Sequence, residues 1–205
     1  MKKFLALLIA VMLMAGACAY AETATSEEPL AEGEMYFHGY INPAVGYYVG
    51  VPAEWALIGL NSTPQNLTEA YDIMGYTEVT ALHESLNAAD NNILFSIAAT
   101  GEQMVLTYGP SDGITVDRLA EEIDAFKAML QSSFTGIEFK EDSGLVSIND
   151  LTQIMYIGAK YKSHDVSQYF MPAGSNMYVF TFTDVEKDIA EAVISTFRVD
   201  SELIG

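Results

Sequence analysis

YYVGVPAEWALIG, residues 47–59, carries the chain's single tryptophan three positions after a proline that interrupts an apolar run. Upstream of that proline, Val45, Tyr47, Val49 and Val51 recur at a period of two, the pattern of a strand with one face buried. Pro52 ends the run, because proline has no N–H to give a ladder and biases the residue before it to an extended shape. Alternation resumes at Trp55 and Leu57. The stretch reads as strand, corner, strand. A large ring beside a corner buries well, and its indole N–H reaches a backbone carbonyl there, so Trp55 is expected in the core rather than on a binding platform.

Downstream, Thr63-Pro64 followed by QNLTEAYDIMG predicts a short helix with Thr63 as its cap and Gly75 at its exit. Residues 76–90 show no decisive pattern. ILFSIAAT (93–100) and QMVLTYG (103–109) read as two strands joined through Gly101-Glu102, and residues 110–113 as a turn. Val116, Leu119, Ile123, Phe126 and Leu130 recur three and four apart, which predicts a long helix over about 116–134. Its acids Asp117, Glu121 and Glu122 crowd the end that the helix dipole favours, as a solvated face. IEFKE (137–141), TQIMYIGAKYK (152–162), VSQYFMP (166–172) and MYVFTFT (177–183) describe an antiparallel meander, broken by turns at His164-Asp165 and at residues 173–176. Tyr178, Phe180 and Phe182 share one side of the last strand. That side is expected to meet a helix over 185–197, with Ile189, Val193 and Phe197 in helical spacing.

The N-terminus has its own logic. Two lysines, an apolar run from Phe4 to Ala15 and the small-x-small series Ala19-Tyr20-Ala21 form the layout of a secretory signal peptide, residues 1–21. The run is short for a bilayer span, and no later segment approaches that length. Ala15-Gly16-Ala17-Cys18 loosely matches a bacterial lipoprotein box, so lipid anchoring to the outer face of the membrane through Cys18 is the alternative to soluble secretion. Either cleavage leaves no cysteine pair for a disulfide, and stability must come from a packed core. Residues 22–34, ETATSEEPLAEGE, are too acidic and too poor in apolar groups to offset their ordering entropy, and read as a disordered linker. Residues 35–205 are then a single globular domain.

Cleavage after Ala21 removes two lysines and no acid, taking the formal net charge from −19 to −21. Such a balance repels phosphate backbones and anionic lipid, which excludes nucleic acid as a partner and leaves cationic peptides and polymers. His38, His83 and His164 show no metal-ligand spacing, and no nucleophile elbow, phosphate loop or dinucleotide fingerprint occurs. No cofactor is called for. Calcium is the one ion the oxygen-rich segments Asp90-Asn91-Asn92 and Asp142 with Asn149-Asp150 would suit, although neither follows the EF-hand order. Asn61 and Asn66 begin glycosylation sequons of the kind that arise by chance. His164-Asp165 is at most an acid/base pair in an exposed turn. Tyr36, Tyr40 and Tyr48 are the candidate ligand-binding residues, from a tyrosine-rich stretch suited to an interface.

The order of elements, together with Pro52-x-x-Trp55 and the closing Ser195-Thr196-Phe197, resembles the PsbP-like superfamily over roughly residues 35–200. The resemblance implies an α+β fold, an antiparallel β-sheet meander with helices packed on its faces in an α/β/α sandwich. It implies binding and assembly roles and carries over no catalytic residue. The functional expectation is an extracytoplasmic, non-enzymatic module that binds a protein, peptide or envelope polymer. A secreted hydrolase whose carboxylates converge only in three dimensions, or a calcium-responsive structural domain, is the alternative.

Overall fold

The computed structural model describes residues 36–42, 44–59, 64–88, 93–148 and 152–200. The signal peptide with Cys18, the acidic linker, Asn61, Thr63, Asp90-Asn91-Asn92 and Asn149-Asp150 lie outside them. Among the described residues no helix is long and apolar enough to cross a membrane.

Two antiparallel sheets organise the chain. β1 (Phe37–Asn42), β2 (Tyr47–Pro52) and β11 (Arg198–Val199) form a three-stranded sheet in the order β1-β2-β11. The second sheet has eight strands: β3 (Ala56–Ile58), β4 (Ile93–Ile97), β5 (Gln103–Pro110), β6 (Glu138–Phe139), β7 (Gly144–Ile148), β8 (Thr152–Tyr161), β9 (His164–Ala173) and β10 (Asn176–Thr183). Its order is β3-β4-β5-β10-β9-β8-β6, with β7 also paired to β8. The meander β8-β9-β10 is as the sequence predicts. Both of its hairpins are two-residue loops, closed by the pairs Tyr161↔His164 and Ala173↔Asn176. Lys162 at φ 56° and Gly174 at φ 60° make these tight turns.

The corner after Pro52 does more than bend one sheet. It passes the chain from the small sheet, where Tyr47, Val49 and Val51 are fully buried, into the large one at Ala56. Trp55 sits at that crossing with 6% of its surface exposed, inside the same apolar cluster as Val51 and Leu94. The core assignment of the tryptophan follows from this burial.

Among the described residues, four helices complete the layers. α1 (Pro64–Met74) and α2 (Tyr76–Ala88) cover β3, β4 and β5, burying Ala70, Val79 and Leu82 against Ile58, Phe95 and Val105. Gly75 at φ 92° separates them. α3 (Leu119–Ser133) covers the other half of the same face, with Leu119, Phe126 and Leu130 set against Ile157, Phe170 and Val179. The helix expected from Val116 opens instead with a 3₁₀ turn over Val116–Arg118, because Thr115 is still extended at φ −110° and ψ 168°.

The opposite face of the large sheet packs on the small sheet and on α4 (Lys187–Ser195). Tyr178, Phe180 and Phe182 point there, as their alternation predicts. Phe197 stands edge-on to Phe180 at 5.2 Å between ring centroids, and 5.0 Å from Tyr178. Each such fully buried aromatic contributes about 1.5–3 kcal/mol by removal from water. This cluster fixes the seat of α4, and α4 in turn walls the site described next.

Candidate functional site

Alternation in β1 and β2 separates the three tyrosines singled out from the sequence. Tyr40 pairs with Val49 and points inward, 7% exposed, its ring 6.1 Å from Tyr47. Tyr48 pairs with Ile41 on the outer face, half-buried under the Arg198 guanidinium at 4.6 Å. Gly39 makes room for the Tyr48 ring, which a Cβ would approach to 2.7 Å. Tyr36, ahead of β1, is 65% exposed. With Tyr40 in the core, the three do not form one platform.

The charged side chains converge elsewhere. A groove of about 280 Å³ opens at the end of the large sheet nearest α4, on the face that carries α4. The β6–β7 connection contributes Lys140 and Asp142, β8 contributes Tyr156, β9 contributes Asp165 and Ser167, the β10–α4 connection contributes Asp184 and Glu186, and the first residue of α4 contributes Lys187. Tyr156 lies along the floor. Its hydroxyl rests over Gly158, where a Cβ would come within 2.6 Å of the phenol oxygen, so only glycine leaves that space open. Ser143 holds the strand there, its Oγ accepting the Gly158 N–H at 3.2 Å.

Two ammonium–carboxylate pairs flank the floor. Lys140 Nζ lies 2.8 Å from Asp165 Oδ1 and Lys187 Nζ 3.7 Å from Asp142 Oδ2. The Lys140 hydrogen bond holds Asp165 below the usual carboxylate range, and the same bond holds Lys140 above the usual amine range. Lys187 Nζ also stands 4.7 Å from the centroid of the Tyr156 ring. Burial pushes the Tyr156 hydroxyl up, and the nearby Asp142 carboxylate adds to the effect. Behind it, Tyr169 is fully buried, 5.0 Å away between rings, and its hydroxyl has no hydrogen-bond partner. Burial and then the Glu191 carboxylate raise the Tyr169 phenol well above its ordinary value.

His164 and Asp165 occupy the first two positions of β9 rather than a turn, since the two-residue loop leaves both in the ladder. His164 does not pair with its neighbour. Its Nδ1 meets Asp184 Oδ2 at 2.5 Å, and Asp184 Oδ1 accepts the Asp165 N–H at 2.9 Å. A serine, Ser167, lies three positions on in the same strand, but an odd spacing sends it to the opposite face from His164. The Asp–His pair therefore has no serine nucleophile within this strand.

Among the described residues no group of three or more His, Cys, Asp or Glu side chains is placed to hold a metal ion. Asp142, one of the residues suited to calcium in the sequence, lies 3.7 Å from Lys187 Nζ. Lys140, Tyr156, Asp184 and Lys187 were not legible as a site, because no linear motif joins them and only the hairpin registers bring them together.

No family model matches the chain, and no curated protein sequence matches it. Among solved structures, the solution structure of cyanobacterial PsbP (CyanoP) from Synechocystis sp. PCC 6803 superposes with a TM-score of 0.52. The two share 11% identity over 85% of this chain and 98% of that one. A crystal structure from Bacteroides thetaiotaomicron VPI-5482 gives a TM-score of 0.44 at 10% identity, over 80% of this chain and 48% of that one. The chain has a PsbP-like fold.

Proposed function

We propose that the protein is an extracytoplasmic, non-enzymatic binding or assembly module that engages a protein, peptide or envelope polymer through the groove over Tyr156. Export rests on the N-terminal layout of Lys2, Lys3, the apolar run and Ala19-Tyr20-Ala21, with Cys18 as the alternative point of lipid attachment. The observation that carries the binding role is the Lys140–Asp165 ion pair in the groove. Lys140 and Asp165 neutralise each other across 2.8 Å, with the carboxylate held ionised and the amine held protonated. A proton donor or acceptor in catalysis needs the reverse, an affinity tuned toward the working pH. Paired charges of both signs around a tyrosine suit recognition by surface complementarity.

The hydrolase reading draws on one observation, the meeting of Asp142, Asp165, Asp184 and Glu186 in a single groove. A photo-crosslinking residue at position 167, with position 99 as an exposed control, separates the two. Binding through the groove yields an adduct of defined mass in the native host from position 167 alone, and Asp142→Lys with Tyr156→Ala abolishes it. Hydrolysis of an ester, peptide or glycoside by the pure protein, lost in Asp184→Asn or Ser167→Ala, would establish the enzyme and retire the binding role.

A further inference from the structure

We infer that the groove is a receptor for the alkylammonium group of a lysine in a basic peptide, and that Lys187 occupies this receptor as an internal stand-in which the peptide displaces. The inference rests on the reading of the groove as a binding site and adds the ligand's chemistry and the way entry is controlled. Lys187 shows what the groove accepts. Its ammonium lies 4.7 Å over the Tyr156 ring, inside the range where a cation is attracted to an aromatic face, with the Asp142 carboxylate on its other side. An aromatic face and a carboxylate around one ammonium are the elements of a lysine-side-chain pocket.

Lys187 is also a poor occupant. Its separation of 3.7 Å from Asp142 exceeds the roughly 2.7–2.9 Å of a well-formed charge-assisted hydrogen bond. The two side chains are 49% and 53% exposed, a setting in which ion pairs hold weakly. Lys187 is the first residue of α4, and the positive end of a helix dipole disfavours a cation there. Asp188 in the same turn fits that field, and Lys187 does not. Nothing about the helix requires a lysine at this position.

Swinging Lys187 aside uncovers the groups it touches. Lys140 stays committed to Asp165 at 2.8 Å, so the groove then presents the Tyr156 ring and the Asp142 carboxylate beside Glu186. The chain's formal net charge of −19 draws cationic peptides toward the surface from a distance.

The test is an NMR titration of the wild-type protein and of Lys187→Ala with an acetylated, amidated Gly-Gly-Lys-Gly-Gly peptide, following the Gly158 amide and the Tyr156 ring. A norleucine peptide of the same length and n-butylammonium are the controls. Lys187→Ala is expected to bind the lysine peptide about fivefold more tightly than wild type, the factor by which a weak exposed pair competes. Asp142→Asn in that background should erase the gain, and the norleucine peptide should leave both signals unmoved. An affinity in Lys187→Ala equal to or below wild type overturns the displacement, and an equal response to norleucine overturns the ammonium. Butylammonium binding as tightly as the peptide would overturn the peptide as the source of the cation. If the position-167 adduct persists while neither protein binds the lysine peptide, this inference falls and the binding function stands. Loss of both removes both.

Discussion

His164 Nδ1 and Asp184 Oδ2 meet at 2.5 Å, tying the first residue of β9 to the residue where β10 gives way to α4. Asp184 does three further things. Its other oxygen accepts the Asp165 N–H, its own N–H donates to the Asp165 carbonyl at 2.8 Å, and its backbone sits at φ 57°. Asp184→Ala is expected to cost about 2–3 kcal/mol, from the lost charge-assisted bonds and from placing alanine in the left-handed region. Asp184→Asn keeps an oxygen for Asp165 and tolerates that backbone, so its cost should stay near 1 kcal/mol. Urea midpoints of the two variants provide the check, and equal losses would show that Asp184 acts in neither way.

The Lys140–Asp165 pair gives stability a shape in pH. Asp165 is depressed on folding, so its contribution is present above the ordinary carboxylate value and fades as pH falls through the lower folded one. Lys140 is raised on folding, so its contribution is present below the ordinary amine value and fades as pH rises through the higher folded one. The pair therefore helps across the neutral range and fades at both ends, by at most about 1 kcal/mol for groups this exposed. Lys140→Met should lower stability at neutral pH and leave it unchanged in strong acid, where Asp165 is protonated in both states. Denaturant titrations at the two conditions would show a uniform loss if the lysine acted only through its aliphatic stem.

Trp55, 6% exposed at the crossing between sheets, anchors both layers. Trp55→Ala should cost about 3–5 kcal/mol, since the cavity opens where neither sheet is able to close over it alone. Because this is the chain's only tryptophan, its fluorescence in the native protein should be blue-shifted and weakly quenched by iodide. Ready quenching would place the indole outside the core.

Gly158 and Tyr156 are coupled by contact. A Cβ at residue 158 would stand 2.6 Å from the phenol oxygen, so Gly158→Ala should cost about 1–3 kcal/mol by forcing Tyr156 off its floor. Tyr156→Phe removes the clashing atom. In that background the same glycine change should cost at least about 0.5 kcal/mol less, a departure from additivity that marks neighbours. Strict additivity in a double-mutant cycle would show that the strain lies elsewhere.

The meander, α3, α4 and the corner at Pro52 were legible because each has one strong period and one buried face. Residues 76–90 were not. Thr77, Val79 and Thr80 are β-branched and lower helix propensity, while Val79 and Leu82 recur at helical spacing, so local preference and pattern disagree until α2 packs on β4. β7 shows the opposite difficulty: Leu145 and Ser147 are exposed and Val146 and Ile148 only half-buried, too short and mild an alternation to register before β8 pairs with it. His164-Asp165 read as a turn because the polar run from Lys160 to Asp165 hides a loop of only two residues. The groove escaped for a related reason: Asp142 lies between β6 and β7, Asp165 at the start of β9 and Asp184 after β10, and their proximity exists only in the register.

Gly50 donates its N–H to Thr196 Oγ1 at 2.6 Å, across 146 positions of sequence. The ladder between β2 and β11 spans slightly more, with Arg198 opposite Tyr48. A polypeptide delivered N-terminus first makes β2 long before its partner β11. Until residue 199 has emerged, Tyr47, Val49 and Val51 lack their final cover, and the loop-closing entropy for this pairing is among the largest the fold contains. The small sheet is therefore complete only when β11 adds to β2, and that addition closes the fold's longest-range ladder.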